Sequence, residues 1–214
     1  MLRLWSMPIV CILVLISSHC FADETENIRI THEATKNALR YYQSPSDLAV
    51  IGTVFSENQQ GERVEKGVFE ITRKGTAELL FRYRNGFEIK IANRGRVCEY
   101  TNFRDVIRTD RSLERTLNAV AGITRLTSTL ILEELFVDNA DVFDRNADTI
   151  VLESVNYVNG VLCTRLGMKR GSGHVSYCID NGSGAVLDIV YKSLLQGRER
   201  TTRYCMRYSK REED

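Results

Sequence analysis

The side chains best suited to chemistry are few, and their spacing matches no common catalytic or metal site. His32-Glu33 begins like the helix of a zinc protease, but Lys36 stands where the second histidine ligand would be required. Ser172 and Ser183 lie in Gly-Ser-Gly sequences, which are typical of turns and lack the Gly-x-Ser-x-Gly spacing of a nucleophile elbow. These residues therefore predict neither a metal site nor a nucleophile.

Charged residues cluster in two further places, and neither cluster is arranged for acid–base catalysis. Glu133 and Glu134 are adjacent, so their carboxylates would diverge on a helix. Another stretch interleaves arginines with acids, which favours a salt-bridged surface over the alternative of a lipid-headgroup or partner site. Its arginines are Arg104, Arg108, Arg111 and Arg115. We therefore expect no catalytic residue, no cofactor and no enzyme activity.

The first 22 residues have the order of a secretory signal peptide. Arg3 precedes an apolar run over residues 9–16, and a polar, small-residue segment then ends in Ala22 before Asp23. The run is too short to span a bilayer as a stable helix. We expect cleavage after Ala22 and a mature protein in the periplasm. An uncleaved anchor and a lipoprotein signal at Cys20 are the weaker alternatives.

Length and charge bound the rest of the chain. Without its leader the 214-residue chain is long enough for one well-buried domain, which we place at 23–208, followed by a charged flexible tail at 209–214. The chain has 29 basic and 28 acidic residues, and Arg3 is the only charged residue of the leader. Without the leader, the numbers of basic and acidic residues are therefore equal. This balance gives no electrostatic reason to expect nucleic-acid binding.

Four cysteines follow the leader, and an even number in an exported chain suggests two disulfides. Cys163 and Cys178 flank a Gly-rich turn at 169–173, and a hairpin centred there would place them opposite each other. Such a bridge is worth about 3 kcal/mol in the chain-entropy model. Cys98 and Cys205 would then form the second bridge. The alternative is that some of the four are buried free thiols.

Hydrophobic periodicity predicts a helix followed by a strand meander. A helical stripe covers residues 26–43 and is ended by Ser44-Pro45. The period then changes to two, and turns such as Asn85-Gly86 separate five predicted strands. These strands cover 50–55, 64–72, 77–83, 87–92 and 96–103. Because every connection is short, we expect neighbouring strands to pair antiparallel.

The second half of the chain begins with a helical interruption and then returns to strands. Residues 105–110 are charged and suggest irregular structure, whereas 113–136 have a helical pattern that Gly122 divides. The latter part is apolar over more than one stripe, which indicates burial against a sheet. Five more strands are predicted at 149–157, 161–168, 174–179, 185–194 and 201–208. The fold class is therefore mainly β (α+β), with about ten strands in one curved antiparallel sheet and helices packed on one face.

This order of elements resembles the LolA-like superfamily of exported proteins, which have a curved, half-open β-barrel with helices over its concave face. The first hairpin at 54–71 and the strand at 93–100 carry the resemblance in the first half. The leucine-rich segment 126–136 stands where the family has its lid helix. The segment 158–166, Val-Asn-Gly-Val-Leu-Cys-Thr-Arg-Leu, is similar to the family's uncharacterised periplasmic branch.

The resemblance implies a binding protein for a lipid, an acyl chain or a lipidated protein, since a half-open sheet leaves an apolar concavity. We expect such a partner, and possibly an envelope protein, with the chain itself a monomer. Candidate ligand-binding residues are Phe55, Phe69, Leu79, Phe81, Ile89 and Ile91 of the sheet and Leu130, Ile131 and Leu135 of the lid helix. Alternatively, all nine pack a filled core, and the protein is a structural or regulatory interaction protein of the periplasm.

Overall fold

The computed structural model describes residues 9–44, 47–58, 60–84, 86–94, 97–102, 105–109, 113–122, 124–195 and 198–209. The helical segments are α1 (Ile9–Gln43), α2 (Leu113–Ala121), a π-helix (Ser128–Val137), α3 (Val142–Arg145) and a short 3-10 turn (Ala147–Thr149). The strands are β1 (Leu48–Glu57), β2 (Arg63–Lys74), β3 (Thr76–Tyr83), β4 (Glu88–Arg94), β5 (Val97–Asn102), β6 (Asp105–Thr109), β7 (Val151–Val158), β8 (Val161–Arg170), β9 (Gly173–Asp180), β10 (Val186–Leu195) and β11 (Arg198–Tyr208).

All these strands form one antiparallel sheet in the order β6-β5-β4-β3-β2-β1-β11-β10-β9-β8-β7. Within each half of the chain, β1 to β6 and β7 to β11, strands that follow one another in sequence pair as predicted, and the pairing of β1 with β11 joins the two halves. Within the described residues, β6 and β7 stand at opposite edges and do not pair with each other. The sheet is therefore half-open, and the mainly β fold class is confirmed.

One segment was wrongly predicted to be irregular. Asp105–Thr109 forms β6, which pairs antiparallel with β5 so that Asp105 lies opposite Asn102. The physical reason is that Val106, Ile107 and Thr109 are β-branched residues, which favour strands even when charges stand among them. The charged residues of this segment had led us to overlook the strand preference of its β-branched residues.

The sheet curves around the helices that lie on its inner face. The π-helix contacts β3 and also reaches β9 through a hydrogen bond to Tyr177. In a flat sheet, strands five positions apart would lie about 24 Å from each other, whereas a helix is only about 10 Å wide. A single helix can touch both only because the sheet bends, and bulges in the β1–β2, β7–β8 and β9–β10 pairs accompany this bend.

Helix α1 packs a narrow stripe into the same interior. Ala34, Ala38 and Tyr42 recur at four-residue intervals and are at most 5% exposed, and the helix contacts β7, β8, β9 and α3. α1 begins at Ile9 and continues without interruption past Ala22. Within the part of the chain that is described, no helix combines the length and apolar character needed to cross a membrane.

The structure contains one of the two expected disulfides. Cys163 and Cys178 are joined, with their Cα atoms 5.7 Å apart. They stand diagonally across the β8–β9 hairpin, because Cys163 pairs with Asp180, rather than directly opposite each other as expected. Cys205 is a free thiol, so the predicted bridge to Cys98 is wrong. Cys98 lies on β5, which four strands separate from β11, and its side chain lies outside the described residues.

Candidate ligand-binding site under the π-helix

The π-helix occupies the concave face of the sheet and is buried on nearly every side. Its sequence, Ser-Thr-Leu-Ile-Leu-Glu-Glu-Leu-Phe-Val, is apolar over much more than one stripe, and eight of its ten residues are buried. A helix of this composition is stable only when both the sheet and neighbouring helices cover it. The concavity where a ligand was expected is therefore filled by the protein's own helix.

Eight of the nine predicted ligand-binding residues meet around this helix in one continuous core. They are at most 2% exposed and comprise Phe69, Leu79, Phe81, Ile89, Ile91, Leu130, Ile131 and Leu135. The ninth, Phe55, does not join them. Val54 is the residue of that strand segment that points into the core, so Phe55 lies on the opposite face of β1, where it is half-buried. The prediction that the Phe55 side chain faces the concavity was therefore wrong.

Two aromatic rings on the sheet lie directly over glycines of neighbouring strands. Gly52 pairs with Phe69, and a Cβ at Gly52 would stand only 2.1 Å from the Phe69 ring. A Cβ at Gly67 would stand 2.8 Å from the Phe81 ring. The glycines thus allow both rings to lie close against the sheet, which leaves room above them for the π-helix.

A single carboxylate of the π-helix enters this apolar region. Glu134 is 1% exposed, its Oε1 forms an ion pair with Arg170 of β8, and its Oε2 accepts a hydrogen bond from the hydroxyl of Tyr177 on β9. Burial raises the pKa of Glu134 to about 7, and the nearby positive charge of Arg170 only partly opposes that rise. The site therefore holds a carboxylate that keeps its proton to a much higher pH than an exposed glutamate does.

Both ends of the π-helix have unusual backbone conformations. Arg125 and Leu126 precede it with φ values of 54° and 66°, and Asn139 and Ala140 follow it with φ values of 52° and 61°. Outside glycine, the left-handed conformation costs roughly 1–2 kcal/mol per residue. Long π-helices are also rare, and local π-helical turns occur frequently at functional sites. Strain is therefore concentrated where this helix joins the rest of the chain.

Arg73 of β2 fastens the C-terminal end of the π-helix to the sheet and to α1. Its Nη1 donates to the carbonyl of Tyr42 and to Oδ1 of Asn139, each at 2.7 Å, and its Nη2 donates to the carbonyl of Ser44 at 2.9 Å. Sequence patterning had assigned Arg73 only to a turn. Its position at the end of a strand gave no signal of this role.

A second space of about 610 Å³ lies between α1 and the segment at 147–152. Apolar side chains on both walls include Ile28 and Val151, which are 65% and 54% exposed. His32 also lines this groove. Among the described residues, no three His, Cys, Asp or Glu side chains are grouped to hold a metal ion. The groove is large enough for a small ligand.

Comparison with known proteins adds similar structures but no sequence relative. No family model matches the chain, and no curated protein matches it. The chain is similar to the lipoprotein LppX of Mycobacterium tuberculosis, with 10% identity, 84% of this chain and 94% of that chain covered, and a TM-score of 0.46. It is also similar to LprF of Mycobacterium bovis, with 10% identity, 86% and 92% covered, and a TM-score of 0.42.

A LolA superfamily protein of Nitrosomonas europaea is a third similar structure, with 8% identity, 86% of this chain and 94% of that chain covered, and a TM-score of 0.38. At such identities and scores, likeness carries no function from those proteins to this one. The architecture itself is the one expected from the sequence: a half-open antiparallel sheet with helices on its concave face.

Proposed function

We propose that the protein is an exported, non-enzymatic binding protein for an apolar ligand, such as a lipid, an acyl chain or a lipidated protein, in the cell envelope. In this proposal the π-helix is a lid that leaves the concave face when the ligand enters. One observation carries the proposal: an almost wholly apolar helix fills the concavity, with strained junctions at both ends. An acyl chain could replace its contacts with the sheet.

Two features support the interpretation that the π-helix is a movable lid rather than a permanent core helix. The left-handed residues at Leu126 and Ala140 have side chains that disfavour this conformation, so a rearrangement of the lid would relieve strain there. Glu134 is buried with its pKa raised to about 7, so closing the lid at neutral pH includes a desolvation cost. Both costs reduce the difference in free energy between the closed and open states, which is what a ligand-operated lid requires.

The proposal includes export and cleavage after Ala22, which would leave a single domain at 23–208 and a flexible tail at 209–214. The Cys163–Cys178 disulfide supports an oxidising compartment. The buried stripe of α1 starts at Ala34 and would be retained in the mature chain. Intact-mass measurement of protein recovered from a bacterial periplasm tests this proposal. It predicts an N-terminus at Asp23, and a product that retains residues 1–22 would contradict it.

Ligand binding is tested by native mass spectrometry and organic extraction of the mature protein. We expect acyl species to copurify, and we expect the delipidated protein to take up dodecanol. Arg73→Gln removes bonds that hold the lid and should tighten dodecanol binding by about tenfold, as expected for loss of charged hydrogen bonds. Arg82→Gln is a matched control, because Arg82 forms an exposed pair with Glu88 on the sheet. A protein that neither copurifies with acyl species nor binds dodecanol would contradict the proposal.

A structural or regulatory interaction protein with a filled core is the second candidate function. It is favoured by the continuity of the core, in which eight predicted ligand-binding residues are at most 2% exposed. In that case the π-helix would open only when the whole domain unfolds. Backbone amides of 128–137 would then exchange hydrogen at the rate of the central strands, and Arg73→Gln would lower stability without creating dodecanol binding.

A further inference from the structure

We propose that Arg170 and Tyr177 form the headgroup site of the ligand, and that Glu134 occupies this site while the lid is closed. The preferred ligand is then an acyl chain that ends in an anionic, oxygen-rich headgroup. This inference rests on the proposed function, since it requires that the π-helix moves away. It adds the chemical class of the ligand and the residues that select it.

The geometry around Glu134 is that of a carboxylate-binding site. The two oxygens contact different groups: Oε1 forms an ion pair with the Arg170 guanidinium but accepts no hydrogen bond from the described residues, and Oε2 accepts the hydrogen bond from the Tyr177 hydroxyl. Guanidinium and hydroxyl donors are well suited to carboxylates and phosphates, and charge-assisted bonds are about twice as strong as neutral ones. Two strands of the sheet hold these donors, so they remain in place if the lid departs.

The position of the site suits the entry of an amphiphile. The Arg170 side chain is 42% exposed, whereas Tyr177 is fully buried, so the two donors extend from the rim of the concavity into its interior. The Phe143 ring packs edge-on against Tyr177 with ring centroids 5.2 Å apart, which fixes the orientation of the phenol. An anionic headgroup could therefore stay near water while its chain runs along the apolar sheet.

The lid reproduces the chemistry of such a ligand. Its carboxylate stands among Leu130, Ile131 and Leu135, so an apolar stretch and an anionic group are presented together. When the lid leaves, Arg170 and the buried Tyr177 hydroxyl lose this partner, and an unpaired buried polar group is costly. An anionic headgroup restores both contacts. A neutral alcohol cannot restore the ion pair, and this difference produces the selectivity.

Other charged and titratable groups face Glu134 but contribute less directly. Glu133 on the same helix raises the pKa of Glu134, and Arg145 lowers it. Arg145 is already paired with Asp138 and Asp141, each at 2.9 Å. The Tyr204 hydroxyl also lies near this region and donates its hydrogen bond to the carbonyl of Arg125. Arg170 and Tyr177 are thus the groups in direct contact with the carboxylate.

The test compares three probes with the same chain length: dodecanoate, dodecyl phosphate and dodecanol. Each probe must open the same lid, so the fraction of open protein reduces all three affinities equally and cancels in their ratio. For the mature protein at about pH 8, we expect at least one anionic probe to bind about tenfold more tightly than the alcohol, as one charged hydrogen bond warrants. The ratio between dodecanoate and dodecyl phosphate distinguishes the two anionic headgroups.

Variants assign the selectivity to residues. In Arg170→Gln, the affinity for the anionic probe divided by the affinity for dodecanol should fall close to one. Dodecanol binding would show that this variant is folded. Tyr177→Phe should lower the ratio partially, since it removes one neutral donor. Arg82→Gln should keep the ratio of the parent protein. If Arg170→Gln does not fold, Tyr177→Phe still tests the proposal. An affinity ratio equal to that of the parent protein would then contradict a headgroup site at these residues.

The outcomes separate this inference from the proposed function. If no probe binds, the proposed function itself fails. If dodecanol and both anionic probes bind equally well to the parent protein, the apolar site stands and the headgroup site is overturned. Selectivity that persists in both Arg170→Gln and Tyr177→Phe would also overturn it, because another cation would then recognise the headgroup.

Discussion

Among the described residues, two acids are buried on opposite faces of the same sheet, and their surroundings differ. Asp188 lies on the outer face of β10, where its Oδ2 accepts hydrogen bonds from Arg165 at 2.5 Å and from Arg203 at 3.0 Å. Both arginines belong to strands. Glu134 lies on the inner face with one arginine and one tyrosine, and it is carried by a helix with strained ends.

We interpret Asp188 as a structural charge, whereas we propose a functional role for Glu134. Asp188 is held between two cations that β8 and β11 fix in place, so it ties these two strands to β10. Glu134 forms an ion pair with one cation, Arg170, and burial disfavours its charged form, which raises its pKa to about 7. Perturbed carboxylates in a concave apolar region are candidates for functional sites. Substitution and pH should therefore affect the two acids differently.

The largest expected effect is on Asp188. Asp188→Asn leaves Arg165 and Arg203 without their shared carboxylate, and loss of one partner of a buried ion pair typically costs about 3–5 kcal/mol. Urea unfolding should show this loss in the free energy of unfolding. Glu88→Gln is the control, because Glu88 and Arg82 form an exposed pair that should contribute less than about 1 kcal/mol. Equal effects of the two substitutions would contradict the structural role of Asp188.

The pH dependence of Glu134 should come next in size. Its pKa is raised from its usual 4.5 to about 7 in the closed state, so the contribution of Glu134 to closure is fully present below about pH 4.5 and is lost as pH rises through 7. The shift corresponds to at most about 3 kcal/mol. Dodecanol, which does not titrate, should therefore bind more tightly at about pH 8 than at about pH 6.

Glu134→Gln provides the control for this pH dependence, since the amide does not ionise. In that variant dodecanol affinity should stay flat over the same pH interval, and at the upper pH it should be weaker than in the parent. Isothermal titration calorimetry at several pH values measures both effects. Tighter binding at the lower pH, or an unchanged pH profile in Glu134→Gln, would show that Glu134 does not control closure.

A smaller effect is expected at the floor of the concavity. Gly52→Ala places a Cβ against the Phe69 ring, and such overpacking should lower the free energy of unfolding by about 1–3 kcal/mol. Gly122→Ala is the matched control, because apart from its own chain neighbours no described residue has an atom within 4 Å of a Cβ there. Its effect should be within about 1 kcal/mol and can be stabilising. Equal stabilities of the two variants would indicate that the ring does not lie over Gly52.

The fold was largely predictable because strand alternation and turn residues act locally. Asn85-Gly86 and Gly160 mark hairpins in the sequence, and short connections leave antiparallel pairing as the simple solution. The disulfide between Cys163 and Cys178 also followed from a local hairpin. The bridge proposed between Cys98 and Cys205 was wrong because it required knowledge of which distant strands meet.

The site was less predictable for the same reason. Adjacent Glu133 and Glu134 suggested exposed surface, and only the position of Glu134 within an apolar stretch could have signalled its burial. Its partners Arg170 and Tyr177 come from a hairpin more than 30 residues away in sequence, and nothing local links them to the lid. The curvature of the sheet is what brings these three side chains together.

Hydrogen exchange of the π-helix with and without dodecanol tests the central claim most directly. If the helix is a ligand-operated lid, amides of 128–137 should exchange through local opening, faster than those of β1 to β3, and bound dodecanol should accelerate them further while it protects the inner strands. Exchange of the π-helix at the rate of the central strands, unchanged by dodecanol, would show a permanent core helix and contradict the account.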